Sequence, residues 1–113
     1  MMIYKILSAA EWSSALVEGV FHGSRADLRD GFIHFSTAGQ LRETARRHFA
    51  GETDLVLLAV PTEALGDALK WAPSRGGELF PHLHGWLACD AVVEARPAPM
   101  LQDGEHDLGL LAP

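Results

Sequence analysis

The chain has 113 residues, 48% of them hydrophobic, and a formal net charge of −6. That length and apolar content fit one domain with its own core, without a metal or disulfide staple. The acidic balance argues against wholesale binding to nucleic acid or an anionic membrane, although Arg25, Arg29, Arg42, Arg46 and Arg47, five of the nine basic residues, leave room for a local patch.

Residues 3–7 (IYKIL) read as a short strand. Ser8 with Glu11 three residues on is a capping-box pattern, so a helix follows, with Trp12, Ala15 and Leu16 facing the core and Gly19 as its stop. Residues 20–31 read as irregular, because Gly23, Ser24, Asp27, Asp30 and Gly31 are turn formers. A second strand spans 32–36 (FIHFS). Ser36 or Thr37 then caps a helix to about residue 50, whose buried stripe is Ala38, Leu41, Ala45 and Phe49. Residues 54–60 (DLVLLAV) are a strand buried on both faces. LKW at 69–71 suits a short strand and APSRGGE a loop. Pro81 restricts LFPHLHGWL to an edge strand or extended loop. Residues 90–97 give a last strand, and the tail from Pro97 is expected to be loose or to pack as an extended arm. Strands and helices mix without strict alternation. The expected fold is therefore α+β: one small domain over 1–113, core about 3–96, with a mixed or antiparallel split sheet and two main helices.

Cys89 is the only cysteine, and Asp90 beside it would raise its thiol pKa. No intramolecular disulfide can form, and no basic leader or membrane-length apolar run is present, so a cytoplasmic location without membrane contact is expected.

Two stretches carry the polar chemistry, DGFIHFST (30–37) and SRGGELFPHLHG (74–85). In the first, His34 lies just before a helix start whose free N–H groups suit an anion; a core histidine satisfied by a carbonyl is an equally good reading. In the second, Arg75 could clamp a phosphate or carboxylate, Gly76 and Gly77 allow positive φ or close backbone approach, and Glu78 with His82 could be an acid–base pair; an ordinary Gly-Gly hairpin explains the same residues. His82 and His84 form H-x-H and with His34 could offer three nitrogens to a metal, but the ligand set is incomplete and no metal is favoured. His22, His48 and His106 read as surface residues. Trp71 and Trp86 flank the second stretch and could wall a flat ligand.

These motifs, with IYKIL…EW and DLVLLAV, resemble over residues 3 to about 95 a bacterial family known as domain of unknown function 952, itself remotely similar to the ADP-ribosyltransferase fold. The matching positions are Asp30, Gly31, His34, Ser36 and Thr37, then Ser74, Arg75, Gly76, Gly77, Phe80, Pro81, His82 and Gly85. The resemblance implies a cleft for NAD or another nucleotide. His34, Glu78 and His82 would be catalytic; Ser36, Thr37, Arg75, Gly76 and Gly77 would bind the cofactor, Arg75 through its pyrophosphate. Relatives commonly have glutamate where this chain has Ala72, and tyrosine where it has His84. The first departure opens a second reading, a non-catalytic module for a small anion or a protein partner. A metal-dependent hydrolase using His34, His82 and His84 is the third.

Overall fold

A computed structural model describes residues 1–113. In chain order the elements are β1 (Met2–Ser8), α1 (Ala9–Glu18), β2 (Val20–Phe21), α2 (Arg25–Asp30), β3 (Ile33–His34), β4 (Ser36–Thr37), α3 (Ala38–His48), β5 (Leu55–Pro61), β6 (Leu69–Pro73), β7 (Leu79–Leu83), β8 (Leu87–Ala88) and β9 (Glu94–Pro97). The strands form a four-stranded sheet in the order β4-β1-β5-β9, a three-stranded sheet β3-β7-β6 and the pair β2-β8, all antiparallel. This is the expected α+β class with a split sheet.

The β1–β5 ladder, from Met2↔Pro61 to Ser8↔Leu55, is the spine. Alternation sends Ile3, Leu7, Leu58 and Val60 to one side, where they pack with Ala15, Phe21, Ile33, Phe35, Leu83 and Leu87. Tyr4, Ile6, Leu55, Leu57 and Ala59 go to the other, against Leu41 and Ala45 of α3 and Ala98 and Leu108 beyond β9. Both faces of β5 are covered, as its apolar run requires.

Ser8 and Glu11 do form a capping box, and Gly19 closes α1 with φ 84°. Leu16, however, is 55% exposed. One step past Ala15 rotates a side chain about 100° around a helix axis, out of the narrow stripe that meets the sheet. Residues 20–31 are not irregular: Val20–Phe21 pairs with β8, and α2 follows. Ser24 N donates to Asp27 Oδ2 at 2.8 Å and Asp27 N to Ser24 Oγ at 3.3 Å, a reciprocal cap that nucleates this short helix.

Pro81 sits in the middle strand of its sheet, contrary to the edge position expected. The carbonyl of Pro81 accepts from Phe35 N at 3.0 Å, so its nitrogen faces the β3 side. Phe35 N closes the His34↔His82 pair through the Pro81 carbonyl, and because Pro81 has no N–H to return to Phe35 the ladder goes no further. The tail packs as an arm rather than hanging loose. Tyr4 Oη donates to Ala112 O at 2.6 Å, and Arg96 Nη2 to the carbonyls of Leu108 (2.7 Å) and Leu110 (2.9 Å). His106 is buried, not a surface residue, because the Met100↔His106 bridge folds the arm back and sets its Nε2 2.8 Å from Glu52 O. No helix is long and apolar enough to cross a membrane.

Candidate functional site

A cleft of about 560 Å³ opens between α2, one flank of α3 and the β6–β7 hairpin, with β1 and β3 at its base. Asp27 is its hub. Asp27 Oδ1 lies 2.6 Å from His34 Nδ1 and accepts from His34 N at 3.1 Å and Lys5 Nζ at 3.0 Å. The second oxygen takes Ser24 N and also Lys5 Nζ, at 2.9 Å. Local backbone makes this convergence. Gly31, at φ 86°, turns the chain so that β3 runs back past α2. Gly23, at φ 122°, leaves room beside Asp27: a Cβ there would stand 2.9 Å from the Asp27 Cβ.

The electrostatics follow. Burial opposes ionisation of Asp27, but the His34 hydrogen bond and the Lys5 charge outweigh it and hold the carboxyl well below the usual carboxylate range. Burial lowers the Lys5 ammonium, partly offset by Asp27. On its far side His34 Nε2 meets Asp30 Oδ2 at 2.9 Å, and Arg29 grips that carboxylate in turn. The His34 ring is thus oriented through both nitrogens.

His82 stands directly opposite His34 in the β3–β7 register, with ring centroids 5.7 Å apart. Burial, then the charges of His34 and His84, lower its pKa, against Asp30. The two histidines are side by side on neighbouring strands and both line the cleft, as do Ser36 and Arg75. Ser36 Oγ shares a 2.9 Å hydrogen bond with Thr44 Oγ1. Arg75 Nη1 donates to Thr44 Oγ1 at 3.4 Å, and its guanidinium lies 4.9 Å from the centre of the Phe80 ring.

Four other expected site residues are not in the cleft wall. Glu78 does not pair with His82; it accepts from Gln40 Nε2 at 3.0 Å. Thr37 caps α3, and its N–H is taken by Gln40 Oε1, so the helix presents its flank to the cleft and not its N-terminus. Gly76 and Gly77 adopt φ 68° and 78° in the hairpin turn, shaping the loop that carries Arg75 without touching the cavity. Trp71 and Trp86 also lie outside; Trp86 packs edge-on against His22 at 4.3 Å. His34, His82 and His84 do not converge as ligands, for the Phe32 ring packs against all three, at 4.6, 3.9 and 5.4 Å. No group of three or more His, Cys, Asp or Glu is placed to hold a metal ion. Cys89 is apart from the cleft, its thiol pKa pushed up by burial and Asp90.

Sequence reasoning missed Asp27, Lys5, Thr44 and His48 as cleft residues. Ser24-x-x-Asp27 was a detectable capping signal. A lysine alternating with Ile3 and Leu7 was the other clue, since a charge on a core-facing position needs a buried partner.

The family model described as protein of unknown function (DUF952) matches residues 6–95. The chain belongs to the DUF952 family. The matched span holds Asp27, His34, Thr44, Arg75 and His82, while Lys5 and the C-terminal arm lie outside it. Among solved structures, the chain is similar to the crystal structure of protein CC0527 from Caulobacter crescentus: 49% identity over 96% of this chain and 95% of that one, TM-score 0.93. The solution NMR structure of CC0527 is similar at 50% identity, over 96% and 93% of the two chains, TM-score 0.86. No curated protein matches the chain.

Proposed function

We propose that this DUF952 protein binds NAD or a related nucleotide in the cleft, as an ADP-ribosyltransferase-like domain. The observation that carries the reading is the Asp27–His34 couple sharing one polar cavity with Arg75, a cation with no ion-pair partner. The volume suits a small-molecule ligand. Arg75, over the Phe80 ring and with one donor on Thr44, keeps most of its donors for a pyrophosphate. His34, oriented by Asp27, offers Nε2 to a ribose hydroxyl or amide once Asp30 gives way. Glu78, hydrogen-bonded to Gln40 outside the cleft, takes no part in this reading. In a transfer reaction nicotinamide would leave with the glycosidic electron pair as an acceptor attacks the ribose carbon. His82, with its lowered pKa, is the ring suited to take the acceptor's proton.

One observation favours binding without turnover. Ala72 pairs with Phe80 on the His82 face of the hairpin, where the family resemblance leads one to expect a carboxylate. Calorimetric titration with NAD and with ADP-ribose tests binding, and release of free nicotinamide tests turnover. Wild-type protein should give saturable heat, weakened at least about tenfold in Arg75→Ala, the loss expected for a charge-assisted pair. Absence of heat with either ligand would remove the reading.

A further inference from the structure

Leu41, Thr44 and His48 follow one another along the flank of α3 and all line the cleft. The β6–β7 hairpin lays Arg75 against this flank, hydrogen-bonded to Thr44. Neither Arg75 nor His48 has a carboxylate within ion-pair distance. His48 is exposed at the cleft rim; partial loss of hydration there, then the charges of Arg75 across the cleft, His34 from β3 and Arg47 on its own helix, push its pKa below the ordinary histidine value. Elsewhere in the cleft wall Lys5 is neutralised by Asp27 and Arg29 by Asp30. Arg25 of α2 also lines the cleft without an ion-pair partner, and the Glu43 carboxylate feels the Arg75 charge, but Arg75 is the cation that acts on an imidazole sharing its cleft.

We propose that Arg75 and His48 form a subsite for a phosphoryl oxyanion, with Thr44, whose own proton goes to Gln40 O at 3.2 Å, holding the guanidinium in place, and that filling it draws a proton onto His48. An anion seated between guanidinium and imidazole replaces a repulsion with two attractions, so the bound form of the ring holds its proton more tightly. Affinity is then highest below the free ring's pKa and falls as pH rises through the bound ring's pKa. A one-unit rise on binding is a tenfold change in affinity across that window. The inference takes from the proposed function only that this cleft is the ligand site. The oxyanion could arrive in a dinucleotide's pyrophosphate or as a terminal phosphomonoester.

The test follows the His48 ring protons by NMR from about pH 5 to about pH 8, the range in which histidine titrates, with and without inorganic sulfate, whose charge is constant there. Saturating sulfate should raise the His48 pKa by about one unit or more. His48→Gln should flatten the pH dependence of sulfate binding, and Arg75→Ala should abolish the upward shift, both with near-native thermal melts. A His48 titration indifferent to sulfate, or a shift that persists in Arg75→Ala, overturns the proposal. NAD and AMP distinguish the two sources: a shift with NAD supports the pyrophosphate, and a shift with AMP alone the monoester. Sulfate acting where NAD does nothing leaves the subsite standing and removes the NAD reading. NAD binding with an unmoved His48 removes the subsite alone.

Discussion

Asp27 holds together three things that the chain supplies far apart: a lysine on β1, the cap of α2 and the imidazole of β3. It is 2% exposed and Lys5 is 6% exposed, so the pair cannot fall back on water if one partner goes. Asp27→Asn should therefore cost about 3–5 kcal/mol in urea unfolding, the range for stranding a buried charge. Asp27→Asn combined with Lys5→Met should recover much of it, because an apolar side chain leaves no charge to satisfy; equal loss in single and double variants would contradict that account. The sign of the pH effect is also determined. Asp27 has a folded-state pKa below its unfolded value, so its contribution is present above the ordinary carboxylate pKa and lost as pH falls through the folded value. Urea midpoints should drop below about pH 4, and that drop should shrink in Asp27→Asn. His34 was legible from its place in DGFIHFST, but its orienting acid was not, since seven residues of separation say nothing about which carboxylate folds back onto a ring.

At the scale of elements, α2 and its flanking glycines set the geometry of the cleft. Gly23 combines φ 122° with a Cβ position that would collide with Asp27, whereas Gly85 has open space and no positive φ. Gly23→Ala should lower stability by about 1–3 kcal/mol through strain and displacement of α2. Gly85→Ala should stay within about 0.5 kcal/mol. Thermal melts of the two variants, together with the His34 ring shifts in NMR spectra, check both, since only Gly23→Ala should disturb the imidazole. The helices at 9–18 and 38–48 were readable from caps and apolar spacing. The short α2 was not, because its polar residues serve turns as readily as caps until the Ser24–Asp27 reciprocity is seen. Pro81 misled for a related reason: a missing N–H excludes a central strand only where the ladder must run on past it, and the pairing with β3 stops at this residue.

For the whole molecule, the four-stranded sheet is closed on one side by α3 and the C-terminal arm. Leu108 is 2% exposed in the same cluster as Tyr4, Leu41 and Leu57. Leu108→Ala should cost about 2–5 kcal/mol, the usual range for a buried leucine truncation, measured by chemical denaturation. A loss under about 0.5 kcal/mol would mean that the arm is a dispensable tail. The sequence by itself determined the α+β class, the spine strand at 54–60, the two longer helices and the polar stretches containing His34, Ser36, Arg75 and His82. Those features rest on local periodicity, capping and turn chemistry, which neighbouring residues specify. Only the tertiary structure decided that Glu78 answers to Gln40 and that Asp27 and Lys5 anchor His34. It alone turned the flank of α3, with Thr44 and His48, toward Arg75. Such pairings depend on which strands lie side by side and which helix face meets the cleft, and residues dozens of positions apart settle that together through the shared core.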